Sequence, residues 1–162
     1  MIKEKGGNMK VFVSGTYDIL HAGHIQFFKE AKEWGMNHAP RLQTGEIFKV
    51  DLIVSYCSEA NLMLYKGRRT SMPDDNKKIL LEAIRYVDRA YMGTDDGGVW
   101  DFVPAFLAEK PDVLIVTEDD KYFAEKGEFC KNNGATLIIL PKTPPMATPV
   151  STTSIISNIK GT

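Results

Sequence analysis

The chain has 162 residues, with 20 Lys and Arg against 21 Asp and Glu, for a net charge of −1. This length makes one domain with room for a real core, and the even charge balance argues against a nucleic-acid or membrane surface. With two cysteines (Cys57 and Cys130), no apolar run of membrane-spanning length and no signal-peptide core in Met1–Asn8, the reading is a flexible leader over 1–8 and one cytoplasmic domain over 9–162.

Val11, Phe12 and Val13 open the patterned chain as a short buried strand. Ser14-Gly15-Thr16 breaks it, and from about Ala22 the residues Ile25, Phe28, Ala31 and Trp34 fall near helical spacing. Gly35 to Lys49 has no clear period and reads as a loop, and Val50 to Tyr56 is apolar throughout, as in a strand covered on both faces. A polar crossover with Lys66, Arg68 and Arg69 follows. Pro73, Asp74 and Asp75 then start a helix expected to bury Ile79, Leu80, Ala83 and Ile84. A short strand is predicted over 87–92, a helix over 99–109, a strand over 113–117, a helix over 123–132 that stops at Asn133-Gly134, and a last strand over 136–140. A proline-rich loop (Pro141 to Pro149) leads to Ser151-Thr152-Thr153 and a final short helix. Alternating strands and helices predict an α/β fold with a parallel sheet. In such a sheet ligands sit beyond the carboxyl ends of the strands. The Gly15–His24 turn, the Glu118-Asp119-Asp120 turn and the loop after Leu140 all follow strand ends, and so fall on one edge.

The strand–glycine–helix junction carries His21, Gly23 and His24. A helix start presents unpaired N–H groups and partial positive charge, which suits a phosphate. Two imidazoles three residues apart on a first turn face the same way and can donate to one phosphoryl group. A capping role for the histidines is the competing reading. A metal site would need a third ligand, and only His38 remains among the imidazoles, with no cysteine cluster; no metal-binding set is read. The Lys66–Arg69 run is a solvated face on its own, but beside a phosphate site it offers the cations that a triphosphate and a phosphorylated partner need.

Gly15 to His24, GTYDILHAGH, resembles the HxGH signature of the cytidylyltransferase-like nucleotidyltransferases. The Lys66/Arg68 pair, Ile84–Asp88 (IRYVD) and Ser151–Ile156 (STTSII) resemble further segments of that family, so the likeness spans nearly the whole chain. It implies a Rossmann-like three-layer sandwich around a five-stranded parallel sheet. The implied reaction is transfer of a nucleotidyl group from an NTP, carried with Mg²⁺, to a phosphorylated small molecule. CTP is favoured because Leu140–Thr143 (LPKT) and IRYVD look like glycerol-3-phosphate cytidylyltransferase; ATP, with a heptose-phosphate or FMN acceptor, is the alternative, and a binding-only module is a third reading.

The resemblance also distributes the roles. His21, His24, Lys66 and Arg85 would be catalytic. Gly15, Thr16, Tyr17, Gly23, Arg68, Lys142, Thr143, Ser151, Thr152 and Thr153 would join the histidines around the nucleotide, and Asp18, Lys77, Asp119 and Asp120 would join Lys66 and Arg85 around the acceptor. Lys142 and Lys77 stand where relatives have arginine, Glu118 where they have glycine, and the 36–49 segment is an insertion whose Ile47 and Phe48 are candidate contacts in a homodimer.

Overall fold

The computed structural model describes residues 7–46 and 48–161. Five strands, β1 (Asn8–Gly15), β2 (Lys49–Tyr56), β3 (Arg89–Met92), β4 (Val113–Thr117) and β5 (Thr136–Leu140), form one parallel sheet in the order β3-β2-β1-β4-β5. β1 therefore lies between β2 and β4. The chain winds outward from β1 to one side, then returns across it to β4, and this reversal opens a crevice at the carboxyl ends of β1 and β4.

Successive strand side chains point to opposite faces, and two clusters result. Val11, Val13, Leu52 and Val54 pack with Phe28 and Ala31 of α1 (Ala22–His38) and Leu81 of α3 (Asp74–Glu82). On the other face, Phe12, Ile53 and Leu114 pack with Phe102, Phe106 of α4 (Val103–Glu109) and Cys130 of α5 (Phe123–Asn132). Phe12 meets Phe106 edge-on at 5.4 Å; burying each such ring contributes roughly 1.5–3 kcal/mol. A helix α2 (Glu59–Lys66) and a C-terminal helix α6 (Thr152–Lys160) complete the chain. The three-layer sandwich and five-stranded parallel sheet match the expected fold class.

Several local expectations are corrected. α1 runs on to His38, because Gly35 lets the helix approach the sheet; a Cβ there would meet Val50 Cγ1 at 2.6 Å and Val11 Cγ2 at 2.8 Å. The crossover after β2 contains α2, capped by Ser58, whose hydroxyl accepts from Asn61 N at 3.1 Å, and stopped by Gly67 in the left-handed region. Its exposed Met63 and Leu64 hide the usual apolar stripe. α3 ends at Glu82 and buries Lys77 and Leu81, whereas Ile79 and Leu80 are exposed. The helix expected over 99–109 is a 3-10 turn at Gly98–Trp100 followed by α4, and the strand expected from 87 begins at Arg89. Asn8, assigned to the leader, begins β1; residues 1–6 and Ile47 lie outside the described residues.

The amino-terminal edge of the sheet is locked by ion pairs. Glu109 binds Lys10 at 3.0 Å and Arg89 at 2.9 Å, and Arg89 reaches Asp51 at 3.1 Å. Asp88 accepts from Leu52 N at 2.7 Å and from Lys32 of α1. The carboxyl edge is left open for a site.

Candidate active site

A cavity of about 980 Å³ sits over the carboxyl ends of β1 and β4. The Gly15–His24 turn forms one wall, Lys66 and Arg68 a second, and Thr117–Asp120 a third. The Pro141–Val150 strap and the start of α6 close the last side.

His21 is the N-cap of α1, with extended backbone, and its Nδ1 accepts from Gly23 N at 3.1 Å. His24 Nδ1 accepts in turn from His21 N at 3.2 Å. The two rings form a reciprocal capping box, in which histidines do the work of the usual Ser and Glu. Gly23 is needed here, because a Cβ would come within 2.9 Å of the His21 ring. Since both Nδ1 atoms accept backbone protons, each neutral ring carries its own proton on Nε2. Burial, and next the charge of His21, pushes the His24 imidazole down to about 4; burial also lowers His21. At neutral pH the rings, 3.9 Å apart, are two uncharged Nε2–H donors. Capping and donation, set against each other in the sequence, use different nitrogens of the same rings.

Tyr17, at φ 47°, folds its ring into the core against His24 (5.4 Å, edge-on) and Phe28 (5.0 Å). Its contacts make it a wedge behind His24 as well as a cavity residue.

Asp18 is buried and spends its carboxylate on the neighbouring loop. It accepts from Arg68 Nη1 at 2.8 Å, Ser71 N at 2.7 Å, Met72 N at 3.3 Å and the Thr70 hydroxyl. Burial raises its carboxyl, but these donors outweigh burial and hold it below the ordinary value. Asp18 is thus a clamp that aims Arg68 rather than a free acceptor-binding group. Lys66, the last residue of α2, is exposed at the rim.

Across the cavity Lys142 Nζ meets Asp119 at 2.8 Å, an exposed pair, and Asp120 accepts from Lys126 at 2.7 Å. Ser151 and Ser154 form a second capping box. The N-termini of α1 and α6 therefore both open onto the cavity, bringing two positive dipole ends to one place. Thr16, Thr143, Thr152 and Thr153 also line it.

Two expected site residues are elsewhere. Lys77 is 1% exposed, and its Nζ donates to Cys57 O at 2.9 Å and Asp74 Oδ1 at 3.2 Å, so it braces α3 against β2. Arg85 is exposed in the turn between α3 and β3, near the amino-terminal edge and away from the cavity. The structure also brings in residues the sequence did not single out. Phe27 and Glu30 lie one and two turns along α1 from His24 and line the same cavity as Ile156 and the strap prolines. The helical spacing 24, 27, 30/31 was the available signal for the first two. Among the described residues no group of three His, Cys, Asp or Glu side chains could hold a metal ion, and no helix is long and apolar enough to cross a membrane.

A doubly wound sheet with paired imidazoles, several cations and two helix starts at its switch point defines a nucleotide-handling α/β protein. The family described as Cytidylyltransferase-like matches residues 12–158. A protein named FAD synthase from Thermococcus kodakarensis is 33% identical over 125 residues, covering 77% of this chain and 72% of that protein. FAD synthases from Archaeoglobus fulgidus and Pyrococcus horikoshii are each 32% identical, over 74% and 72% of this chain and 74% and 68% of those proteins. A solved structure from Thermoplasma volcanium, described as a lipopolysaccharide core biosynthesis protein, aligns with a TM-score of 0.60 at 25% identity, covering 82% of this chain and 94% of that one. The chain belongs to the cytidylyltransferase-like family and is a nucleotidyltransferase.

Proposed function

We propose that this enzyme transfers AMP from ATP to FMN, forming FAD and pyrophosphate. The observation that carries this reading is the likeness to three proteins named FAD synthase, each at 32–33% identity over about three quarters of the chain. It favours ATP over the CTP expected from Leu140–Thr143 and Ile84–Asp88. The second of those segments lies at the amino-terminal edge of the sheet, where Asp88 accepts from Leu52 N and Lys32, and none of its residues lines the cavity.

In this mechanism a phosphate oxygen of FMN attacks the α-phosphorus of ATP in line, and the bond to the β-phosphate oxygen breaks. The FMN phosphate, with a second pKa of about 6, is already largely dianionic at pH 7, so no strong base is required. Catalysis is then placement and charge stabilisation. The Nε2–H groups of His21 and His24 donate to the α-phosphate oxygens as charge builds there. Lys66 holds the acceptor phosphate, while Arg68, Lys142 and the start of α6 hold the β- and γ-phosphates.

Mg²⁺ supplies further charge neutralisation when it enters with the triphosphate. Asp119 and Asp120 are each bonded to a lysine, an arrangement that suits a cation held by phosphate oxygens and water rather than by a protein cage.

The test is chromatographic detection of FAD from FMN with ATP, CTP, GTP or UTP in the presence of Mg²⁺. FAD from ATP alone is expected. Activity with CTP and a polyol phosphate but none with FMN would overturn the reading, and nucleotide binding without pyrophosphate release would favour a binding-only module.

A further inference from the structure

A second cavity, of about 240 Å³, opens beside the first and shares Ser14, Gly15, Thr16 and Asp120 with it. It lies toward the face of the sheet that carries α4 and α5, away from the histidine helix. Charged groups line it in spite of burial: Asp101 is 9% exposed and Lys126 6%. Such groups are costly to bury unless they are held and used.

Asp101 is held. Asn61 of α2, fully buried, donates through Nδ2 to Asp101 Oδ2 at 3.1 Å and to Gly98 O at 2.9 Å, and its Oδ1 accepts from Gly98 N at 2.7 Å. That amide ties the Asp101 carboxylate to the Gly98 turn, and its Nδ2 also reaches Cys57 Sγ at 3.4 Å. Lys126 donates to Asp120 at 2.7 Å, which leaves two of its three protons for another acceptor. The mouth carries the rings of Tyr65 and Tyr122. They are 39% and 41% exposed, so both rings are open to a planar ligand at the mouth. The cavity thus offers a fixed acceptor, a charged donor and flat aromatic surfaces, joined by the Gly15–Thr16 strip to the phosphate-binding site.

We propose that this second cavity is the ring subsite of the acceptor, in which Asp101 and Lys126 read the pyrimidinedione edge of a flavin. The inference rests on the FMN reading above. The flavin edge presents one N3–H donor flanked by two carbonyl acceptors; Asp101 accepts a hydrogen bond from N3–H and Lys126 donates to a neighbouring carbonyl. Tyr65 and Tyr122 cover the ring faces, and the ribityl chain runs past Thr16 toward the histidines. Asp101 and Lys126 are therefore specificity determinants. A phosphorylated polyol or heptose, lacking that edge, leaves the remaining acceptor and donor capacity of both without a ligand partner.

The experiment is steady-state FAD synthesis by wild type, Asp101→Asn, Lys126→Met and Tyr122→Ala, together with FMN methylated at N3. The two charge variants are expected to raise the KM for FMN about tenfold or more, the loss of a charge-assisted hydrogen bond, with the KM for ATP little changed. N3-methyl-FMN should be about tenfold poorer for wild type and no poorer than FMN for Asp101→Asn. Tyr122→Ala alters an exposed side chain, so with the methylated substrate it keeps the test valid if a charge variant does not fold. Unchanged KM for FMN in variants that still make FAD, or a rise confined to ATP (the outcome if adenine occupies the cavity), would overturn the subsite while leaving the FAD reading intact. Wild type that makes no FAD removes both.

Discussion

His24 can be split into its two nitrogens by substitution. Asparagine places an amide oxygen near the position of Nδ1, and glutamine places an amide nitrogen near that of Nε2. His24→Asn should therefore keep the acceptor for His21 N, now at 3.2 Å, and lose the donor to the α-phosphate. His24→Gln should do the reverse. One preorganised donor is worth roughly two to three orders of magnitude in kcat, whereas losing the capping-box acceptor of the His21 N–H costs about 0.5–1.5 kcal/mol of stability. His24→Asn should thus turn over about 100- to 1,000-fold more slowly with stability near that of wild type, while His24→Gln should unfold at lower denaturant and retain more turnover. Pyrophosphate release with ATP and FMN, paired with urea unfolding, reads both quantities. Near-wild-type turnover in His24→Asn, or the same loss in both variants, would refute the division of labour between the nitrogens.

The same histidine sets a pH window. Its pKa falls from 6.5 in the unfolded chain to about 4 in the fold, so the unfolded state takes up the proton first. Its stabilisation is complete above about pH 6.5 and is lost as pH falls toward 4; urea midpoints between pH 8 and 5 should fall more steeply for wild type than for His24→Ala. Lys77→Met should lower stability by about 1–3 kcal/mol through loss of the buried donor to the Cys57 carbonyl and of the ion pair with Asp74 without altering either KM, and Arg85→Ala should shift stability by no more than about 0.5 kcal/mol with turnover intact, as checked by calorimetry and initial rates. Asp18→Asn should release Arg68 and the 70–72 loop, raising the KM for ATP several-fold in initial-rate measurements; an unchanged KM would mean that Arg68 does not touch the triphosphate.

The alternation of strands and helices, the parallel sheet and the Gly15–His24 turn into α1 were legible in the amino-acid sequence, because each rests on periods and turn residues a few positions apart. β4, α5 and β5 fall within their expected bounds for that reason. What the chain does not encode locally is which distant groups share an edge or a face. The family resemblance implies that Lys77 and Arg85 bind the acceptor, yet α3 runs antiparallel to the strands, pointing Lys77 into its packing face and carrying Arg85 toward the amino-terminal edge. Gly35 reads as a helix breaker until Val11 and Val50, brought in from two strands, occupy the space its side chain would take. The second cavity needs Asn61, the Gly98–Asp101 turn and Lys126 together, from three separate segments. No spacing announces such a set, because only tertiary packing decides which buried charges face one another.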